Sequence, residues 1–221
     1  MSTGYVELAR AQQERWQTAY TANASLHGAE PSVAARGMVQ PFKVAGIDDV
    51  LELGAGQGRD ALFLAGQGFS VHATDFSESA LNQLRLDARR RGLDDRVTAA
   101  LHDVRDPLPP ANATVDAVYA NLLLNMALSR SELRALMKEI LRVLRPGGVF
   151  VYTVWSTADA RHGRWLELGD GLFEQDGFAV RFFDLGLVHE LAERWDLGAV
   201  DSYEEGPEPR RLWRVTQSKP V

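Results

Sequence analysis

With 221 residues, 45% of them apolar and 24% charged, the chain has the size and composition of one soluble α/β domain. Disorder, collagen-like repeats and low complexity are excluded. A formal net charge of −6 gives no long-range attraction for a polyanion, so a small molecule rather than nucleic acid is the expected partner. The absence of cysteine excludes disulfides, thiolate metal sites, iron–sulfur clusters and a cysteine nucleophile.

In chain order, the N-terminal segment MSTGYVELARAQQERW carries charges where a signal peptide needs an apolar stretch, and no apolar run reaches 18 residues. A cytoplasmic chain with no membrane contact is expected. Residues 1–47 read as an appendage. Tyr5 to Tyr20 is a surface-packing helix with Val6, Leu8, Ala9, Trp16 and Ala19 among good helix formers, and Pro31 and Pro41 bracket a second short helix.

From Asp49 the texture changes to short apolar or alternating runs, VLEL, FSVHATD, RVTAALHD, VDAVYAN and GVFVYTVW, with helical segments between the early ones. That alternation predicts a parallel sheet. Ser129 and Glu132 form a capping box before a helix that Arg145-Pro146-Gly147-Gly148 ends with a turn, and a strand follows at once. Asp184 caps a later helix, and LGAVDSYEE and RLWRVTQ close the chain as two strands, giving about seven in all.

The strongest local pattern is Glu52-Leu53-Gly54-Ala55-Gly56-Gln57-Gly58-Arg59, a strand running through a glycine turn into a helix. A dinucleotide fingerprint needs its third glycine one place later, where Arg59 stands, so NAD is disfavoured. Free N–H groups at a helix start also suit a carboxylate, such as the amino-acid end of S-adenosylmethionine. Asp75, 21 residues after Gly54, closes the next strand, where a carboxylate can accept both hydroxyls of a ribose. Asp103 ends the third strand, where an adenine amino group would arrive. Taken singly, the turn is an ordinary strand-to-helix connection, Asp75 an N-cap for the helix near Ser77, and Asp103 the start of the DPLPP turn.

Together with VDAVYANLLLNMAL, EILRVLRPGGVFVYTV and the closing pair DSYEEG and RRLWRVTQ, these motifs resemble the class I S-adenosylmethionine-dependent methyltransferases over roughly Asp49 to Thr216. Trp16 and Tyr20 are similar to the lead-in of the small-molecule branch that holds thiopurine and tellurite methyltransferases. The resemblance implies a Rossmann-like, seven-stranded, mostly parallel sheet with an antiparallel last strand and helices on both faces. Residues 48–221 would form the methyltransferase domain and residues 1–47 its helical lid. It also implies S-adenosylmethionine as cofactor, S-adenosylhomocysteine as product and a small-molecule O, N or S acceptor, with the chain acting as a monomer or homodimer. Carried over by position, it puts Glu52, Gly54, Ala55, Gly56 and Gly58 around the methionine moiety and Asp75 on the ribose. Phe76 falls beside the adenine, and Asp103 and Val104 at its amino group. Asn121 faces both ligands, and Tyr20 closes over them. Asn121 and Asn125 stand where relatives often carry His and Cys, which puts the acceptor in question.

His27 and His162 lie in loops and are the candidate bases, with Asn121, His162 and Tyr20 the residues expected to act in catalysis. Asp159, Arg161 and His162 share one loop, and Arg161, Arg164 and Arg181 hint at an acidic acceptor. Trp155 and Trp165 are expected in a lid. The arginines between Arg85 and Arg96 are interleaved with aspartates and read as a solvated helix face, and no metal-ligand spacing occurs. Two other functions share this pattern: a regulatory protein that binds the cofactor without transfer, and a cyclisation or rearrangement catalyst.

Overall fold

A computed structural model describes residues 3–221. In chain order the elements are α1 (Thr3–Ala22), α2 (Val33–Val44), β1 (Asp49–Leu53), α3 (Arg59–Gly66), β2 (Ser70–Asp75), α4 (Glu78–Arg90), β3 (Val97–Leu101) and β4 (Val115–Asn121). There follow α5 (Arg130–Val143), β5 (Leu144–Trp155), β6 (Leu166–Gly169), β7 (Leu172–Gln175), β8 (Phe178–Arg181), α6 (Leu185–Leu191), β9 (Asp196–Glu205) and β10 (Arg210–Ser218).

Seven strands form one sheet in the order β3-β2-β1-β4-β5-β10-β9. The first five are parallel, and β10 runs antiparallel between β5 and β9, as expected. The order reverses between β1 and β4, and at such a switch point a crevice opens outside the carboxyl ends of the strands. Helices cover both faces. On one face α5 buries the stripe Leu133, Leu136, Met137, Ile140 and Val143 against β4 and β5, started by the predicted capping box of Ser129 and Glu132. On the other, α3 and α4 are joined by α2, whose Ala34, Ala35, Met38, Val39 and Phe42 enter the same core. Asp184 caps α6 as expected.

Three local readings are corrected. Pro41 does not bound the second helix: α2 runs through it to Val44, because the ring removes one N–H donor in the last turn only. The Arg145-Pro146-Gly147-Gly148 segment is not a free turn but the start of β5, with an irregularity in the β4–β5 pairing between Val115 and Ala117. Residues 166–181, where the sequence predicts no strand, form a separate antiparallel sheet of β6, β7 and β8. Its two-residue turns are Asp170-Gly171 (φ 54° and 72°) and Asp176-Gly177 (φ 53° and 79°). Positive φ at both turn positions matches the twist of the flanking strands, and Asp-Gly adopts it at little cost.

Helix α1 lies across α4 and β8. The buried Gln12 pins it there: its Nε2 donates to the carbonyl of Ala179 at 2.7 Å and its Oε1 accepts from the N–H of Ala127 at 2.9 Å. No helix of the described residues is long and apolar enough to cross a membrane, and none of their His, Asp and Glu side chains gather in a group of three able to hold a metal.

Candidate active site

A cavity of about 610 Å³ opens at the carboxyl ends of β1, β2 and β4, roofed by α1, the 23–29 loop and β8. Its floor is the glycine turn. Gly54, Gly56 and Gly58 all have positive φ (68°, 54° and 80°), a region that glycine enters without penalty. Space forbids a side chain as well: a Cβ on Gly54 would meet Leu123 Cδ1 at 2.9 Å, and one on Gly56 the Tyr20 hydroxyl at 2.8 Å. Gly58 lies behind the cavity wall, and a Cβ there would fall 2.1 Å from Leu84 Cδ1, so it packs the turn against α4. As the N-cap of α3 it gives no side-chain acceptor, which leaves the first-turn N–H groups of that helix uncapped.

Two carboxylates converge on this turn. Glu52 is 2% exposed, lines the cavity and has no hydrogen-bond partner for Oε2 among the described residues. Burial, with the nearby charge of Asp60, pushes its carboxyl well above the ordinary range. Asp75, 4% exposed, accepts the Gly56 N–H at 2.8 Å on Oδ2 and the Ser77 N–H at 2.9 Å on Oδ1. Burial raises it to about 6 against the opposing effect of those N–H groups. The N-cap of α4 is Ser77, so Asp75 does not cap that helix itself. Beside it, Phe76 lines the wall.

Asp103 and Val104 line the same wall. Asp103 starts a local turn by accepting the Arg105 N–H at 3.0 Å, pairs with the Arg105 guanidinium at 3.0 Å, and receives Gln13 Nε2 of α1 at 2.5 Å. The turn reading of Asp103 and its place in the cavity therefore hold together. At the end of β4, Asn121 Oδ1 accepts the Thr153 hydroxyl at 2.5 Å, and that hydroxyl accepts the Leu122 N–H. Leu122 holds φ 54°, a strained conformation for a leucine, and faces the cavity with Asn121.

The roof is aromatic. Trp16 stacks on Tyr20 at 5.6 Å between centroids, meets the His27 ring at 5.9 Å and the edge of Phe178 at 5.1 Å. Burial and the Asp75 charge drive the Tyr20 phenol far up, so it stays protonated. The His27 imidazole opens onto the cavity. The protein packed around it, then the charges of Arg59 and Arg210, lower it to about 4, so it is neutral at physiological pH even though the ring is exposed. Gln57 holds this loop to the glycine turn, donating to the Asn23 carbonyl at 2.6 Å and accepting the Leu26 N–H at 2.9 Å.

The cavity thus brings together Glu52, Gly54, Ala55, Gly56, Asp75, Phe76, Asp103, Val104, Asn121 and Tyr20. It leaves out His162, whose exposed ring packs on Phe173 and Phe182 at 5.1 and 5.3 Å. The arginines read as a hint of acceptor charge are elsewhere. Arg181 is wholly buried on the Leu128 carbonyl and Asp170, and Arg161 bonds Asp159 and the Glu208–Pro209 backbone. Trp155 is buried in a small core cluster, and both it and Trp165 face the cavity. Arg210 and Gln57 were missed. An Arg-rich final strand and a glutamine inside the glycine turn are weak signals, since neither marks which way its side chain points.

Residues 50–148 match the family model described as a methyltransferase domain. A demethylmenaquinone methyltransferase of Clavibacter sepedonicus is 40% identical over 114 residues, 52% of this chain and 43% of that one. The matched segments span less than half the length of the curated relatives. Among solved structures, the [4+2]-cyclase SpnF superposes with a TM-score of 0.74 at 18% identity, covering 97% of each chain. A Burkholderia thailandensis 1,6-didemethyltoxoflavin-N1-methyltransferase with bound 1,6-didemethyltoxoflavin and S-adenosylhomocysteine gives 0.67 at 20% identity, covering 99% of this chain and 87% of that one.

Proposed function

We propose that the chain is a class I S-adenosylmethionine-dependent methyltransferase that transfers a methyl group from that cofactor to a small-molecule O, N or S acceptor, releasing S-adenosylhomocysteine, a reading supported by the methyltransferase-domain match over residues 50–148 and the methyltransferases it is similar to. The observation that carries the reading is the convergence of the glycine turn and buried Asp75 on one cavity. We take residues 48–221 as the catalytic domain and residues 1–47 as the part that closes it.

The residues present fit the cofactor. Glu52 offers a buried carboxylate oxygen without a partner, the complement of an ammonium, and the uncapped start of α3 offers N–H groups to a carboxylate. Each Asp75 oxygen accepts one N–H and keeps acceptor capacity for a ribose hydroxyl. Phe76 would lie along the adenine, with Asp103 and Val104 at its amino group. Gly54, Ala55 and Gly56 would let backbone approach the methionine moiety, and Gly58 holds the turn in place.

Bound there, the cofactor supplies a sulfonium methyl already activated toward nucleophiles. The protein then has to place the acceptor lone pair, a proximity effect of about 7–11 kcal/mol. Asn121, fixed by Thr153, presents its amide N–H groups to both ligands. Tyr20 donates from a phenol that stays protonated, and with Trp16 and Phe178 it keeps water out. For a hydroxyl or ammonium acceptor, His27, one of the two candidate bases and the one that opens onto the cavity, takes the proton as a neutral imidazole.

The likeness to a [4+2]-cyclase over nearly the whole chain supports a second reading, catalysis of a rearrangement in the same cavity without methyl transfer. Incubating the purified protein with methyl-labelled cofactor and a small-molecule extract separates them. A labelled small product is expected. An unlabelled isomerised product selects the second reading, and no product at all refutes both.

A further inference from the structure

The final hairpin carries three arginines on β10, and β9 carries acids opposite them. Arg211 pairs with Glu204 at 3.0 Å and Arg214 with Asp201 at 2.7 Å. Arg210 is different. The residue across from it in register is Glu205, yet that carboxylate accepts the Val33 N–H of α2 at 3.1 Å instead. Among the described residues Arg210 makes no ion pair, and its one hydrogen bond is a 3.5 Å contact from Nε to the Glu205 carbonyl. Its Nη groups are left with no acceptor, in a residue that lines the cavity with its guanidinium 6.0 Å from the Trp155 ring centroid.

A half-buried guanidinium whose Nη groups have no protein acceptor keeps its donors for water or for an anion, and an anion bound there gains charge-assisted hydrogen bonds. None of the acids facing this cavity pairs with Arg210: Asp75 holds the glycine turn, Asp103 holds Arg105, Asp60 accepts Ser32 and Tyr119, Asp87 pairs with Arg90, and Glu52, with Oε2 unpartnered, feels Asp60, Arg59 and Asp75 instead. Arg59, on the first turn of α3, adds a second positive charge to the lining, with only a 3.4 Å contact to Asp60. Next to Arg210 the wall is aromatic, made by Trp155 and Trp165, whose rings lie 5.5 Å apart and tilted by 52°, with the Arg161 guanidinium 5.4 Å from the Trp155 ring centroid as well. A fork of donors beside an aromatic wall matches a planar carboxylate.

We propose that Arg210 selects the methyl acceptor, taking a small planar molecule that carries a carboxylate, with its ring against Trp155 and Trp165 and its reacting group toward His27. This rests on the methyltransferase reading of the cavity, while Arg210 itself stands apart from the glycine turn and Asp75.

The test is calorimetry on the full chain saturated with S-adenosylhomocysteine, titrated with 2-, 3- and 4-hydroxybenzoate and with the matching uncharged hydroxybenzamides. At least one benzoate is expected to bind about tenfold or more tighter than its amide. Arg210→Gln should erase that preference with the S-adenosylhomocysteine affinity unchanged, and Arg210→Lys, which keeps the charge but not the fork, should retain part of it. Equal affinity for acid and amide, no binding of any benzoate, or a preference that survives Arg210→Gln overturns the proposal. Failure of the wild-type protein to bind S-adenosylhomocysteine overturns the cofactor reading beneath it.

Discussion

Asp75→Ala is expected to leave the protein folded while removing most of its affinity for S-adenosylhomocysteine. The carboxylate is 4% exposed and held at about 6, so at neutral pH its ionised form carries a penalty of about 3 kcal/mol relative to an ordinary aspartate. Since the folded value is the higher one, the folded state keeps the proton between about pH 4 and 6, and stability falls across that window as pH rises. Alanine removes this penalty. It also leaves the Gly56 and Ser77 N–H groups without their acceptor, at about 1–3 kcal/mol each. The two effects oppose each other, and the melting temperature should move by only a few degrees, at about 2–4 °C per kcal/mol for a chain of this size. Binding has no such compensation. Two ribose hydroxyls donated to a carboxylate contribute about 1.5–3 kcal/mol each, so the affinity should drop by roughly 10²- to 10⁴-fold. Calorimetry of the variant beside a thermal melt without ligand measures both quantities. An affinity within about threefold of wild type would refute the assignment of Asp75 to the ribose.

Binding of S-adenosylhomocysteine should be constant above about pH 7 and weaken toward tenfold per pH unit below about 6, as Asp75 protonates; affinity that does not vary between pH 5 and 8 excludes an ionised Asp75 as the acceptor. Gly58→Ala places a methyl 2.1 Å from Leu84 Cδ1 at φ 80°, and urea unfolding should report a loss of about 2–5 kcal/mol, against which an unchanged midpoint would count decisively. His27→Gln should lower kcat for an O or N acceptor by about 10²–10⁴ with S-adenosylhomocysteine affinity intact, whereas His162→Gln should alter neither; the reverse pattern would return the base to the 159–162 loop.

What the sequence made legible follows the range of the interactions involved. The seven strands of the main sheet, the Ser129 and Asp184 caps and the glycine turn are each written in a few adjacent residues, and all appear in the structure where expected. The β6–β8 sheet had a local signal too, its paired Asp-Gly turns. Its strands are only four residues long, and β6 is exposed along its whole length, so no alternation of apolar and polar residues marked them. The cavity divides the same way. Glu52, Asp75, Asp103 and Asn121 sit at strand ends, so strand assignment alone brings them to one edge. His27 reaches that edge because Gln57 ties its loop back across the glycine turn, a contact 31 residues apart in sequence. Arginines show the difference most sharply. In the sequence Arg181 sits inside the apolar run FAVRFF and Arg210 opens the strand RRLWRV, and neither setting tells whether the guanidinium is paired. Arg181 is buried on a carbonyl and an aspartate that β6, β7 and α5 bring to it, whereas Arg210 is released into the cavity because Val33, 172 residues from Glu205, captures the acid opposite. Whether an arginine is structural or free for a ligand is thus decided by where its nearest carboxylate has gone, and no local pattern encodes that.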